Sequence, residues 1–406
     1  MVCVMRPDDA TAIAVTGMGV ISPIGVGVDD FAQALGAARP GLRERADLAG
    51  EPTVLAGAAA DFAPRTKVPA RRLRRLSRVS QMAVVAAHEA AADAGLAGIA
   101  PERIGVVLGT GLGALETTAA FMREYLGVGP AQANPALFPA SVMNAAAAHV
   151  SMELGFKGYS TTVNHKDASA LATVALAVDL LRLDRADAIV CGGADELSAA
   201  MVHGYRRFGA VTRAGAVRPF DRRRDGLAPG EGAALFVLER LPAAVARGAR
   251  LRARLDGVGL GGAARGLLSW DDDGAAAATT VQAALREAAL DPGAVDWVAA
   301  GANGTPQHDR LEARVLAAVF GARPVAVSSI LGQTGDFPTA GGLRLAAAVV
   351  ALERQQLPGT LGFAEPDPAA PVPGLVAAPC PAAVHSALVC AHATGGAEVA
   401  LVLRRA

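Results

Sequence analysis

The stretch GYSTTVNHKDASALATVALAVDLLRLDRADAIVCGG, residues 158–193, decides the fold. After Asp167 comes an apolar run, rich in Ala, Leu and Val, that reads as a helix to about Leu183. Ala188 to Cys191 reads as a short strand, followed by Gly192-Gly193-Ala194. An apolar helix that feeds a strand and a glycine pair is the repeating unit of layered α/β proteins.

The same grammar extends in both directions. Upstream, Ala12 to Val15 reads as a first strand ending in a turn at Thr16-Gly17. Residues 71–95 read as a helix closed by Gly95, and Ile104 to Leu108 as a buried strand. Downstream, 279–289 reads as a helix, Val295 to Ala300 as a strand, 308–319 as a helix and Val325 to Ser328 as a strand. Helix 340–355 follows, and strands Val384 to Cys390 and Val399 to Leu403 close the chain. The Pro-rich stretch 365–381 reads as a surface loop. The two halves look like a weak internal duplication, with the expected units at 1–250 and 251–406.

Composition narrows the function. At 406 residues with 52% apolar content, the chain is long enough for a substantial core. Lys+Arg and Asp+Glu are both 38, so no global charge points to nucleic acid or an anionic membrane. Cys3, Cys191, Cys380 and Cys390 have no metal-like spacing, which fits free thiols in a reducing cytoplasm. No basic start precedes a long apolar leader, and no apolar stretch of about 18 residues lacks charges or glycines. Neither secretion nor a membrane span is expected. The sequence implies no cofactor and no metal.

Five ordered segments resemble the β-ketoacyl synthase family of the thiolase superfamily. They are VTGMGVISPIG (15–25), NPALFPASVMNAAAAHVSMELGFKG (134–158), the 158–193 stretch, RPFDRRRDGLAPGEGAALFVLE (218–239) and Gly395-Gly396. In the fourth, Asp221, Arg224, Asp225, Gly226, Gly230, Glu231 and Gly232 fall in register. The second resembles the family's dimer-forming segment. The resemblance implies a layered αβαβα fold of two pseudo-duplicated halves. It also implies a cysteine thiolate that accepts an acyl chain from a carrier protein, two histidines that support decarboxylation of a malonyl thioester, and a lysine.

This chain lacks all four. Counting back from Gly192-Gly193, Asp167 holds the cysteine's place. A carboxylate is a poor acyl acceptor, because the mixed anhydride lies uphill and hydrolyses readily. The first histidine's place falls to Asn303 or Gly301. The second is Asp336, the lysine's place is Leu331, and a gating phenylalanine near the last glycines is Thr394. Condensation is therefore not expected of this chain.

The family's chain-length factors keep the fold without this chemistry, and 302–313 (ANGTPQHDRLEA) and 333–360 resemble them. Asp167 departs from the Gln they commonly carry, and Asp336 from their frequent Arg. The resemblance implies a subunit that pairs as a heterodimer with an active ketosynthase. It also implies contact with an acyl carrier protein bearing a phosphopantetheine-bound chain. Leu115, Thr118 and Met122, at helical spacing, match tunnel positions that limit chain length; ordinary core packing explains them equally well. Arg71, Arg72, Arg74, Arg75 and Arg78 form a basic helix face, read either as solvated arginines or as part of a carrier-docking surface. Asp167 reads as a helix N-cap. The chemical alternative sets His165, Asp167 and Asp336 together as a new acid–base site for thioester hydrolysis, cyclisation or acyl transfer. His308 reads as a surface or capping residue, and Cys191 as a packed small residue.

Overall fold

Strand β1 (Ile13–Ser22) runs straight through Thr16-Gly17, where the sequence reading placed a turn. A bulge between Val15 and Gly17 shifts the register against the neighbouring strand. It resets the alternation, so that Ile13 and Val15 before it and Met18 and Val20 after it face one core cluster. Gly17 and Gly19 face the other way, onto a helix. A Cβ on either would overlap the carbonyl oxygen of Ala90 or Ala86. These glycines mark close backbone approach within a strand, not its end.

The structure is a computed structural model that describes residues 11–406 apart from 49–52, 67–68, 74–75, 272 and 322; Cys3 lies outside them. After β1 come β2 (Gly25–Val26), α1 (Val28–Gly36), a hairpin of β3 (Leu42–Arg45) and β4 (Val54–Gly57), α2 (Ala70–Leu73) and α3 (Arg78–Ala94). Then follow β5 (Ile104–Gly109), α4 (Leu115–Gly127), α5 (Phe138–Ser141), α6 (Ala145–Leu154), β6 (Ser160–Val163), α7 (Ser169–Arg182), β7 (Ala188–Asp195) and α8 (Ala199–Arg207). Next are β8 (Gly232–Arg240), α9 (Leu241–Ala246), β9 (Ala253–Gly262), α10 (Ala275–Glu287), β10 (Trp297–Ala299) and α11 (Pro306–Phe320). The chain ends with β11 (Ala326–Ser328), α12 (Leu331–Thr334), α13 (Ala340–Arg354), β12 (Gln356–Leu357), β13 (Cys380–Pro381), β14 (Ser386–His392) and β15 (Ala397–Arg404).

The expected helix over 71–95 is two helices. Ser77 caps α3, its side chain accepting from the Ser80 N–H, and Gly95 closes it in the left-handed conformation.

One mixed sheet runs in the order β11-β10-β14-β15-β9-β1-β8-β7-β5-β6, with β2 paired to β1. From β6 inward, β5 and β7 are parallel to it and β8 and β1 then alternate antiparallel. From β11 inward, β10 and β14 are parallel, and β15 and β9 alternate antiparallel. The two series meet where β1 pairs with β9. The glycine device repeats as well: Gly257 and Gly259 of β9 lie against Ala284 and Thr280 of α10, as Gly17 and Gly19 lie against α3.

Helices α7 and α13 share the central core cluster with one face of the sheet. On the other face α3 and α6 cover one half, and α10 and α11 cover the other. The expected αβαβα layering is therefore present. No helix of the described residues is long and apolar enough to cross a membrane.

Candidate functional site

The loops that follow β10 and α12, and the entry to α7, come together at one place. The anchor is the 218–239 segment. Asp221 accepts the Ala364 and Glu365 N–H groups at 2.7 Å each. Arg224 is buried between Asp367, at 2.7 Å, and Asp309, at 3.8 Å. Asp309 in turn accepts the N–H groups of Asn303 at 2.9 Å, Gly304 at 3.1 Å and Phe220 at 2.7 Å. This fully buried carboxylate fixes the loop that presents Asn303. Its burial pushes its pKa up to about 7 despite those bonds. Asp336 is held by its main chain, which exchanges hydrogen bonds with Ala228 and Gly230.

Of the two candidate places for the first histidine, only Asn303 faces the site. The Asn303 side-chain amide donates to the Asp336 carboxylate at 2.6 Å. A Cβ on Gly301 would instead point at Glu312, Arg344 and His308, behind the loop. Leu331 is buried on α12.

Asp167 does not cap α7, contrary to the sequence reading. It lies in a 3₁₀ turn, Lys166–Ala168, and the capping position belongs to Ala168. The Asp167 carboxyl is partly exposed and lies near the main chain of Thr394, whose N–H favours its charged form. Desolvation, and then the charge of Asp336, push its pKa up to about 7. Asp336 is raised too, chiefly by burial and against the Asn303 hydrogen bond. Lys166 has a positive φ of 50°, and its ammonium turns away to the Leu267 carbonyl and, at 3.3 Å, the Thr394 hydroxyl. Asp167, Asn303, Asp336 and Thr394 thus meet. The exposed His165 does not join them: its main-chain N–H donates to the Ser169 hydroxyl at 3.0 Å and its carbonyl accepts the Ala168 N–H at 3.1 Å.

Tyr205 on α8, which sequence reasoning did not single out, lies within the field of the site's carboxylates. Removal from water, then the charges of Asp167, Asp336 and Asp195, hold its phenol well above the usual range. Its apolar body packs beside Val54, Val202 and Val211.

His308 departs from its expected surface or capping role. It is buried on α11, its ring tilted against that of Trp270 with centroids 4.6 Å apart. Cys191 is fully buried in β7, and burial pushes its thiol up, which fits packing. Of the arginine run, Arg71 and Arg72 are exposed on α2, and Arg72 bonds Glu153 at 2.6 Å. Arg78 reaches back to the buried Glu231 at 2.5 and 2.7 Å, so it does not belong to a free basic face. Arg74 and Arg75 lie outside the described residues.

The positions read as tunnel-lining lie on a helix with no buried residue at all, α4. Leu115 and Thr118 are partly covered, and Met122 is 41% exposed. The face continues through Leu126, 75% exposed, and Phe138 of α5, 57% exposed. Strand β6 ends the sheet, with one edge unpaired among the described residues.

Comparison with known proteins places these features in a family context. Residues 10–244 match the model of the β-ketoacyl synthase N-terminal domain, and 252–364 that of its C-terminal domain. The chain is 31% identical to 3-oxoacyl-[acyl-carrier-protein] synthase 2 of Coxiella burnetii, over 87% of this chain and 89% of that protein. It is 34% identical to the granaticin polyketide putative beta-ketoacyl synthase 1 of Streptomyces violaceoruber, over 97% of this chain and 98% of that protein. Its fold superposes on the ishigamide ketosynthase/chain length factor with a TM-score of 0.91. That match has 29% identity and covers 97% of this chain and 99% of the other.

Proposed function

The chain belongs to the β-ketoacyl synthase family, and from that premise we propose that it is a non-condensing, chain-length-factor-like subunit of a polyketide synthase. One observation carries the reading. Where the family resemblance implies Cys, His and His, the chain gathers Asp167, Asn303 and Asp336, with Leu331 in the lysine's place. A carboxylate in place of the thiolate holds no acyl group, and an amide bonded to a carboxylate relays no proton.

In this role the active sites lie on the partner, an active ketosynthase with which the chain forms a heterodimer. The contact would use the uncovered face of α4 and α5 and the open edge of β6. An exposed apolar helical face and an unpaired strand edge each call for a protein cover. Leu115, Thr118 and Met122 would form the wall and floor of the acyl tunnel there. Carrier protein, with its phosphopantetheine-bound chain, would meet the assembled pair; Arg71 and Arg72 are the docking candidates that remain. The proximity of Asp167 and Asp336 favours one competing reading, an acid–base enzyme acting on thioesters, but without the proposed help of His165.

The test is intact-complex mass spectrometry on the chain co-expressed with a candidate ketosynthase, with the chain alone as control. A one-to-one heterodimer carrying acyl label only on the other subunit is the expected result. A stable homodimer that ignores the ketosynthase and turns over acyl thioesters overturns it.

A further inference from the structure

Behind the Asn303 loop lies a second polar cluster, which the proposed function does not use. It is assembled from three elements. Helix α11 supplies His308 and, one turn on, Glu312. Strands β14 and β15 supply His392 and Glu398, directly opposite each other in the ladder. Helix α13 supplies Arg344. All five side chains are buried.

Part of the cluster is satisfied. His392 Nδ1 bonds Glu398 Oε2. Glu312 Oε1 accepts the Gly301 N–H at 2.7 Å. Arg344 Nη1 donates to the carbonyls of Cys390 and, at 3.3 Å, Ala299. The rest is not. Both ring nitrogens of His308, Nε2 of His392, Nε of Arg344 and Oε1 of Glu398 have no hydrogen-bond partner. Five such atoms in one interior site are far above what a folded chain tolerates without a bound partner.

The spacing says what the partner is. The His308 and His392 ring centroids are 6.3 Å apart. His392 Nε2 and Glu312 Oε1 are 3.8 Å apart, beyond direct hydrogen bonding but within reach of a bridge. The unpartnered set mixes donors and acceptors. The Arg344 Nε–H is a donor, Glu398 Oε1 an acceptor, and a neutral His308 provides one of each. A cation satisfies only acceptors, and an anion only donors. Among the described residues no three His, Cys, Asp or Glu side chains converge as metal ligands.

We infer that the cluster of His308, His392, Glu312, Glu398 and Arg344 binds ordered water, and that this water is part of the support of the Asn303 loop. Water both donates and accepts, and two to four polar partners hold it in an interior. The link to the site is Glu312, which approaches His392 while it holds the Gly301 N–H, two residues before Asn303. Trp270 covers His308 from the 263–271 loop, its ring tilted 38° to the imidazole. Removal from water holds His308 well below the usual histidine range, so it enters as a neutral donor and acceptor. Burial works against charge on His392, but Glu398 and Glu312 outweigh it and raise the ring.

The test is a crystal structure of the full chain at a resolution where ordered water is visible. Parallel crystals would be grown in rubidium chloride and in sodium bromide. The expected result is a water peak within hydrogen-bond distance of His308 and at least two of the other unpartnered atoms, with no anomalous signal in either salt. An anomalous peak within the cluster overturns the inference in favour of an ion. A dry cluster, with the side chains turned to bond one another, overturns it outright.

Discussion

Asn303 and Asp336, which stand where the family resemblance implies two histidines, are bonded to each other at 2.6 Å. The amide that would face a malonyl thioester is spent on a neighbouring carboxylate, and Asp309 locks its loop from behind. Restoring the nucleophile alone therefore does not restore the reaction. Asp167→Cys is expected to give a thiol that iodoacetamide alkylates. Condensation with malonyl carrier protein should stay roughly 10³-fold or more below an active ketosynthase, because the supporting groups act as a unit. Assay of the purified variant with labelled malonyl carrier checks this, and condensation near that of an active enzyme would refute the reading of the site.

Asp167 also gives the fold a pH dependence whose sign can be worked out. Its pKa rises from 3.8 in an ordinary setting to about 7 in the folded chain. The folded state therefore holds the proton more tightly than the unfolded state does. Stability contributed here is fully present below about pH 4 and is lost as pH rises towards 7. Asp167→Asn keeps the shape and removes the ionisation. Because the carboxyl is partly exposed, the variant should exceed the parent at pH 8 by only on the order of 1–2 kcal/mol. The gap should close as the pH falls to 4. Urea unfolding at both pH values measures it, and a gap that does not change with pH would count against the assignment.

The layered α/β plan was legible because helix and strand periods alternate cleanly, and the family motifs located Asp167, Asn303 and Asp336. The failures share a physical cause: contacts made far along the chain. Thr16-Gly17 looks like a turn only until α3 is packed against it. Asp167 has the chemistry of a helix cap, but the turn that holds it is tied to the 394 loop, more than two hundred residues away, through the Lys166 ammonium and the Thr394 hydroxyl. His308 seemed a surface residue because nothing local shows that β14 and β15 bring His392 and Glu398 behind it. A weak local signal existed in the helical spacing of His308 and Glu312, four residues apart.

The paired glycines offer a stability test that leaves the site untouched. A methyl group at Gly17 would overlap the Ala90 carbonyl oxygen, and one at Gly257 the Ala284 carbonyl oxygen. Neither obstacle is a flexible side chain; each is helix backbone, so α3 or α10 must move off the sheet. Gly17→Ala and Gly257→Ala are each expected to cost about 3 kcal/mol. Gly95→Ala, with open space around its Cβ but a φ of 60°, should cost only about 1 kcal/mol. Thermal melts of the three variants rank them, and equal losses would contradict the close-approach argument.

The last prediction separates a tunnel wall from ordinary packing at Met122. The residue is 41% exposed and lies on a helix that buries nothing within its own chain. Met122→Phe should therefore change the stability of the isolated chain by no more than about 0.5 kcal/mol. In the proposed heterodimer the same side chain would face the growing acyl chain, and the bulkier ring would shorten the space available. Thr118→Phe should do the same with a larger effect on folding, because the Thr118 hydroxyl bonds the Ala114 carbonyl at 2.9 Å and the site is more covered. The expected outcome for Met122→Phe is an unchanged melt and a shift towards shorter products when the complex is assayed with its carrier protein and malonyl donor. Unchanged product length with an intact heterodimer would return Met122 to the role of an interface residue and move the chain-length floor elsewhere on the α4–α5 face.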